Sequence, residues 1–213
     1  EETSAVLEGR TRQLADTRGT YMEGSTDITR TVALGKISDE LKRDYTLVLK
    51  GHIALATARF LKGSTGVNLD VLARRPLWNY GIDYKCGTGH GLGFFLNVHE
   101  GPQAIRPMAN STELEPGMVV TNEPGVYKEG RYGIRTENTL IVEKDIVSEE
   151  FGEFYKFRTM SYCPIDLEGV NVEMLTSEEK DWLNNYHKMV FEKLSPYLNE
   201  EEKEFLKEET RKI

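Results

Sequence analysis

"RQLADTRGTYMEGSTDITRTVALG" runs from Arg12 to Gly35. The stretch is rich in Thr, carries Tyr, Ile and Val, and has glycines at Gly19, Gly24 and Gly35. That composition suits two strands folded back through Met22-Glu23-Gly24. Such a hairpin brings Asp16 and Asp27 roughly opposite each other. Facing carboxylates repel, so either solvent or bound cations must compensate. Asp is common beside turns, and the pair taken alone favours solvated acids.

Beyond the hairpin, Ser38 is placed to cap a helix. Its apolar residues Leu41, Tyr45, Val48, Leu49, Ile53 and Phe60 recur at helical spacing, and Gly63 is the expected stop. Asn68 is the expected cap of a second helix, which carries Leu69, Leu72 and Trp78 and is disturbed by Pro76. From Gly81 to Val142 glycine is frequent. "MVVT" (Met118 to Thr121) and "NTLIV" (Asn138 to Val142) read as strands, and "VYKEGRYGIRTENTLIV" reads as a hairpin turning at Glu129-Gly130. The end is helical. Thr176 with Glu179 makes a capping-box pattern, and Asn199 with Glu202 makes another after Pro196. Strands, helices, strands, helices in that order predict an α+β class.

Composition narrows the function. Hydrophobic residues make up 38% and charged residues 29%, the texture of a folded chain rather than a disordered one. The net charge of -8 argues against a nucleic-acid partner, which needs clustered Lys and Arg. The charged tail "NEEEKEFLKEETRKI" reads as a solvated helix. No apolar run approaches transmembrane length and no signal peptide opens the chain, so no membrane partner is expected. The start lacks an initiator Met, which points to a fragment. Cys86 and Cys163 stand far apart with no CxxC pair, so a reducing cytoplasm is expected rather than a disulfide framework.

Five residues outside any familiar zinc helix or serine triad carry the chemical signal. Glu123 ("VVTNEPGVY") ends an apolar strand. Glu137 ("GIRTENTLIV") is read inside a strand. His90 sits in a glycine-rich loop, "CGTGHGLGFFLNVHEGP", where the backbone can approach a ligand closely or turn sharply. A phosphate cradle is a poor reading of that loop, because no Lys-Ser/Thr follows it. Each residue alone is weak. Together with Asp16 and Asp27 they offer four carboxylates and one imidazole, a charge balance for two divalent cations. Such a donor set suits Mn2+, Co2+ or Zn2+ in a catalytic pair better than a structural thiolate site.

In this order, "DTRGTYMEGSTDITR", "GTGHGLGFFLNVHEGP", "TNEPGVY" and "GIRTENTLIV" resemble the motifs of the aminopeptidase P family, in the creatinase/methionine-aminopeptidase superfamily with its pita-bread catalytic domain. The resemblance runs from about Asp16 to the C-terminus, and "LTSEEKDWLNNYH" looks like the tail of the long cytosolic type. It implies that Asp16, Asp27, His90, Glu123 and Glu137 are dinuclear metal ligands, with Asp27 and Glu137 bridging. It implies that His99 contacts substrate and stabilises the tetrahedral intermediate. Glu123 would move a proton from a water or hydroxide bridging the metals to the leaving proline nitrogen, and Arg135 would orient site carboxylates. The implied activity is hydrolysis of the N-terminal X-Pro bond of peptides, with Mn2+ the first choice of metal, Co2+ or Zn2+ as alternatives, and a homodimer as the assembly.

The implied architecture is an antiparallel sheet flanked by helices. Residues 1–165 would be the C-terminal part of the catalytic domain, and 166–213 a helical extension. The family's catalytic domain begins well before its first Asp, so the chain is expected to be a portion of a longer enzyme. Two departures stand out. Cys86 occupies a position where many relatives have a histidine, and its ordinary reading is a buried apolar thiol. The first motif reads Asp16-Thr17-Arg18 where Asp-Ser-Gly is usual. An X-Pro dipeptidase is the nearest alternative. A non-catalytic peptide-binding protein on the same fold is a more distant one, since this chain keeps all five positions. The apolar residues Trp182, Tyr186, Val190 and Phe191 face the core by default, though a partner would suit them too.

Overall fold

The Arg12–Gly35 stretch forms a long two-stranded ribbon, β1 (Arg12–Tyr21) and β2 (Gly24–Ala33), turning at Met22-Glu23. The computed structural model describes Leu7, residues 12–95 and residues 97–213. The rest of the chain's opening, with the start of the 1–165 segment, lies outside the described residues, as does Leu96. The two-residue turn fixes the register, pairing Asp16 with Thr29 and Arg18 with Asp27. The two aspartates are therefore not opposite each other. They share one face of the ribbon, offset by two residues.

Helix α1 (Asp39–Ala56) starts where Ser38 accepts a hydrogen bond from the Leu41 N–H. It ends before the expected stop at Gly63. Phe60 belongs instead to a short strand, β3 (Arg59–Leu61), which pairs with the later strand β10 (Gly152–Thr159). There Phe60 packs on Tyr155 and Phe157, with ring centroids 6.2 and 5.0 Å away. Tertiary burial of one aromatic side chain overrides the helical spacing. Helix α2 (Gly66–Trp78) is capped by Thr65, and Asn68 is the third helical residue, returning the capping-box bond to the Thr65 N–H at 2.8 Å. Pro76 lies in its last turn, and the helix continues past it to Trp78.

The remaining strands are β4 (Gly89–Leu92), β5 (His99–Ile105), β6 (Val119–Asn122), β7 (Gly125–Lys128), β8 (Tyr132–Arg135) and β9 (Asn138–Ser148). One six-stranded antiparallel sheet has the order β3-β10-β9-β6-β4-β5, and β7 and β8 form the hairpin expected around Glu129-Gly130. His90 thus lies in a strand, not a loop. The glycines beside it serve strand contact. A Cβ at Gly89 would stand 1.9 Å from the Thr121 carbonyl oxygen, and one at Gly91 2.0 Å from that of Glu100. Neither has a positive φ, so these glycines make no sharp turn; they let β4 press against its neighbours.

Two apolar clusters hold these layers. One face of the sheet (Ile105, Val120, Leu140, Val142, Tyr155, Phe157) packs on Leu55, Leu69 and Ala73 of α1 and α2. The other cluster joins Tyr45, Val48 and Leu49 of α1 to Leu183, Tyr186 and Val190 of α3 (Ser177–Leu194). The apolar stripe of α3 therefore faces the core. The capping boxes at Thr176 and Asn199 are both present, and α4 (Glu200–Glu209) is solvated apart from the buried Leu206. Helix, strand and order agree with the α+β class. Cys163 is half-buried and Cys86 exposed, both free; the buried-thiol reading of Cys86 does not hold. Among the described residues no helix is long and apolar enough to cross a membrane.

Candidate metal centre

The ribbon and the breaks after β6 and β8 deliver acidic side chains, and β4 an imidazole, to one place. Period-two alternation puts Asp27, Thr29 and Thr31 on the same face of β2. Glu123 follows β6, and its N–H donates to the Thr88 carbonyl at 2.7 Å. Glu137 is not within a strand. It falls in the two-residue gap between β8 and β9, where its N–H donates to the Thr29 carbonyl at 3.1 Å. Asp27, His90 and Glu137 each present a ligand atom, and these atoms lie within 4.8 Å of one another. The His90 Nε2 is 3.4 Å from Asp27 Oδ2 and 3.4 Å from Glu123 Oε1, which brings Glu123 into the cluster.

Asp16 stands apart on the rim. Its Oδ2 accepts from Arg135 at 2.7 Å and is 3.7 Å from Arg18. Arg135 thus binds Asp16 directly, and also donates to the Thr29 hydroxyl at 3.0 Å and the Tyr127 hydroxyl at 2.9 Å. Its Nε is 3.8 Å from Glu123. Arg18, the residue that departs from the family motif, lies 3.4 Å from Asp27 Oδ1 and so touches both aspartates. His99 makes an edge-on contact with His90, ring centroids 4.0 Å apart, and is exposed on the open side.

The electrostatics are those of too many buried carboxylates. Burial, reinforced by the charges of Glu123 and Asp27, pushes Glu137 up to about 7; the Thr29 hydroxyl and the charge of Arg135 oppose this without outweighing it. Burial also raises Glu123, against His90 and the Thr121 hydroxyl 3.0 Å away. At His90, burial disfavours the imidazolium, but Asp27, the Gly91 carbonyl and Glu123 outweigh it and lift the pKa above its ordinary value. Partial desolvation and the neighbouring His90 lower His99. Desolvation and Glu123 raise the Cys86 thiol.

The donor set fits a cation. Asp27 Oδ1 is buried without a hydrogen-bond partner, the kind of atom a folded protein seldom leaves unmatched. His90 Nδ1 lies 2.9 Å from the Gly91 carbonyl oxygen, which only an N–H can satisfy; that leaves the Nε2 lone pair facing the acids. Donors at about 2.1 Å on one tetrahedral ion stand roughly 3.4 Å apart, the separation found around His90 Nε2. Two cavities flank the cluster. One of about 570 Å3 is lined by Asp27, Leu92, Phe94, Val119 and Met160. The other, of about 520 Å3, is lined by Cys86, Glu123, Tyr127 and Arg135.

Sequence reasoning missed Thr29 and Thr121. Each lies two residues from a candidate ligand, Thr29 from Asp27 and Thr121 from Glu123, so strand alternation was the available signal. Thr121 serves two of the candidates at once, accepting from the His90 N–H at 3.0 Å while donating to Glu123.

Comparison with known proteins gives the family. The model of metallopeptidase family M24 matches residues 2–144, and that of the C-terminal region of peptidase M24 matches residues 153–213. Aminopeptidase P1 of Arabidopsis thaliana is 44% identical over 216 residues, taking in 100% of this chain and 34% of that protein. A probable Xaa-Pro aminopeptidase P of Coprinopsis cinerea is 45% identical, over 98% of this chain and 35% of that protein. The chain spans about a third of the length of these curated relatives. The crystal structure of X-prolyl aminopeptidase from Caenorhabditis elegans, described as a cytosolic enzyme with a di-nuclear active site, superposes with a TM-score of 0.89 and 39% identity, over 95% of this chain and 34% of that one. Prolidase from Pyrococcus furiosus superposes with a TM-score of 0.57 and 29% identity, over 70% of this chain and 40% of that one. The chain belongs to metallopeptidase family M24, and its fold is that of the C-terminal part of the pita-bread domain.

Proposed function

We propose that this member of the M24 family carries the metal-binding and proton-handling residues of an Xaa-Pro aminopeptidase. The observation that bears most weight is the convergence of buried Asp27, His90 and Glu137, with Asp27 Oδ1 lacking any hydrogen-bond partner. In this reading Asp16, Asp27, His90, Glu123 and Glu137 would hold two divalent cations, Mn2+ before Co2+ or Zn2+, with Asp27 and Glu137 the residues that would serve both. Such a pair supplies a nucleophile from water at neutral pH and a Lewis acid for the peptide carbonyl.

The chain's own residues do the rest. An X-Pro bond has a tertiary nitrogen with no N–H, so substrate cannot be held through that group and its leaving nitrogen must be given a proton. Glu123, raised by burial, accepts the proton that water loses and delivers it to the proline nitrogen as the C–N bond breaks. His99, on the open side of His90, donates to the oxyanion that develops on the carbonyl. Arg135 fixes Asp16 and, through the Thr29 hydroxyl, the side of Glu137.

The division at residues 165 and 166, the cytoplasmic location and the homodimer belong to the same proposal. The location draws on the cytosolic relative, and the α3 stripe does not supply the dimer surface because it is spent in the core. The prolidase likeness keeps an X-Pro dipeptidase as the second reading. The deciding experiment is peptide hydrolysis by the full-length protein, stripped of metal and reloaded with Mn2+. Release of the first residue from an X-Pro-Y tripeptide is expected. Cleavage of X-Pro dipeptides alone would favour the second reading, and no cleavage with no metal uptake would end both.

A further inference from the structure

Glu137 sits outside the regular ladders, yet its backbone is held at both ends by two consecutive residues of β2. Its N–H donates to the Thr29 carbonyl at 3.1 Å, and its carbonyl accepts from the Arg30 guanidinium. Arg30 points away from Asp27 and Thr29, into the interior behind the site. There it donates to the Asn138 side-chain oxygen at 2.8 Å, the carbonyls of Cys163 and Pro164 at 2.8 Å each, and the Tyr186 hydroxyl of α3 at 2.9 Å. The Tyr186 hydroxyl has its one proton within reach of the Cys163 carbonyl at 2.8 Å and also stands 3.2 Å from the Asn138 side-chain oxygen, and Asn138 Nδ2 is 3.2 Å from the buried His52 ring of α1. Trp182 closes this layer, stacked on Tyr186 at 5.3 Å and edge-on to His52 at 5.8 Å.

The energetics of this layer call for a reason. Arg30 is 6% exposed, and every partner named above is a neutral oxygen. A buried cation without a carboxylate is costly, and an apolar side chain of similar volume would often stabilise the fold as well or better. What the guanidinium provides that an apolar chain cannot is a planar fork, able to reach several oxygens in a fixed geometry. Those oxygens belong to Glu137, to the residue after it, and to the segment and helix behind them.

We propose that Arg30 is a positioning residue: it transmits the placement of α3, through Tyr186 and Asn138, to Glu137. The M24 C-terminal region would then take part in shaping the metal centre while contributing no side chain to it. The inference rests on the metallopeptidase reading in one respect, that Glu137 is a metal ligand. Helix α3 sets Arg30, Arg30 and Thr29 set the Glu137 backbone, and the backbone sets the carboxylate.

The test uses full-length protein with Arg30→Lys, which keeps the charge and loses the fork, and Tyr186→Phe, which removes one hydroxyl and keeps the ring stack. Mn2+ affinity is measured by chelator competition well below each variant's melting temperature. kcat and KM are measured at saturating Mn2+. Loss of outer-shell support typically weakens metal binding about 10–100-fold, and Arg30→Lys is expected near the lower end of that range. Tyr186→Phe should weaken it by a smaller factor in the same direction, with kcat falling more than KM rises. Wild-type Mn2+ affinity in both variants, whatever their melting temperatures, would overturn the proposal. If Arg30→Lys fails to fold, Tyr186→Phe decides alone. Wild-type protein that takes up no Mn2+ would instead overturn the metallopeptidase reading and this inference with it.

Discussion

Two fully buried acids in this chain meet opposite fates. Asp44, on α1, is 0% exposed, and Glu137 is 1% exposed. Burial pushes both upward, but at Asp44 the effect is outweighed by Lys128 at 2.5 Å, Arg43 at 2.7 Å and the Tyr132 hydroxyl at 2.8 Å, so its pKa ends below the ordinary value. Nearby Glu40, gripped by Arg131 and Lys128, is drawn down to about 2. Glu137 has the Thr29 hydroxyl, a more distant Arg135 and the acids Asp27 and Glu123 for company, and rises to about 7. Burial alone therefore does not mark a functional acid. The mark is burial that the nearby cations do not outweigh, in a place where several carboxylates converge.

The sharpest way to break that contrast is to neutralise one acid from each region. Asp27→Asn should abolish hydrolysis of an X-Pro-Y peptide and lower the metal content, with a smaller loss of fold than at Asp44, because Oδ1 makes no hydrogen bond and its charged neighbours Arg18 and His90 stand 3.4 Å off. Asp44→Asn should do the reverse. Metal stoichiometry should stay at the wild-type value while stability falls by about 2–3 kcal/mol. That is below the roughly 3–5 kcal/mol of a fully orphaned buried pair, since Lys128 still faces Glu40 at 2.8 Å. Metal analysis beside denaturant unfolding reads both. Retained activity in Asp27→Asn would remove the site from consideration.

The next largest effect separates the two histidines. His90 faces Asp27 and Glu123, and His99 touches only its ring edge. His99→Ala should lower kcat by roughly 10²–10³-fold, the cost of one oxyanion donor, with metal content unchanged. Metal loss in this variant would show that the roles of the two histidines are reversed.

How much of this was legible in the sequence depends on how local each cause is. The ribbon, the capping residues Ser38, Thr176 and Asn199, and the strands at Met118–Thr121 and Asn138–Val142 follow from turn chemistry and periodicity within a few residues. The end of α1 does not, because Phe60 leaves helical spacing for a partner almost a hundred residues on. The offset of Asp16 from Asp27 depends on whether the turn holds two residues or three, a one-residue difference that shifts every pairing. The break at Glu137 was invisible because its backbone partners, Thr29 and Arg30, belong to a different sheet. The site residues became readable only as an ordered set, and the role of His99 only through the family resemblance. The departure at Arg18 was plain in the sequence, but its nearness to both aspartates was not.

The last contrast concerns pH, and it turns the unmatched acid into a measurable trade between stability and binding. In metal-free protein Glu137 holds its proton up to about pH 7, against an ordinary value of 4.5 in the unfolded chain. Between those values the folded state carries a proton that the unfolded state has lost, so stability falls as pH rises through the window. At about 1.4 kcal/mol per pKa unit the total is on the order of 3 kcal/mol. Glu137→Gln carries no titrating group, so in chelator its unfolding free energy should exceed the wild type's at pH 8, and the gap should close toward pH 5. Added Mn2+ should reverse the order, since it stabilises whichever protein binds it by mass action and the Gln variant has lost a ligand. A Gln variant no more stable than wild type in chelator at pH 8 would mean that Glu137 is matched after all, like Asp44. The contrast between the two regions would then fail at its strongest point.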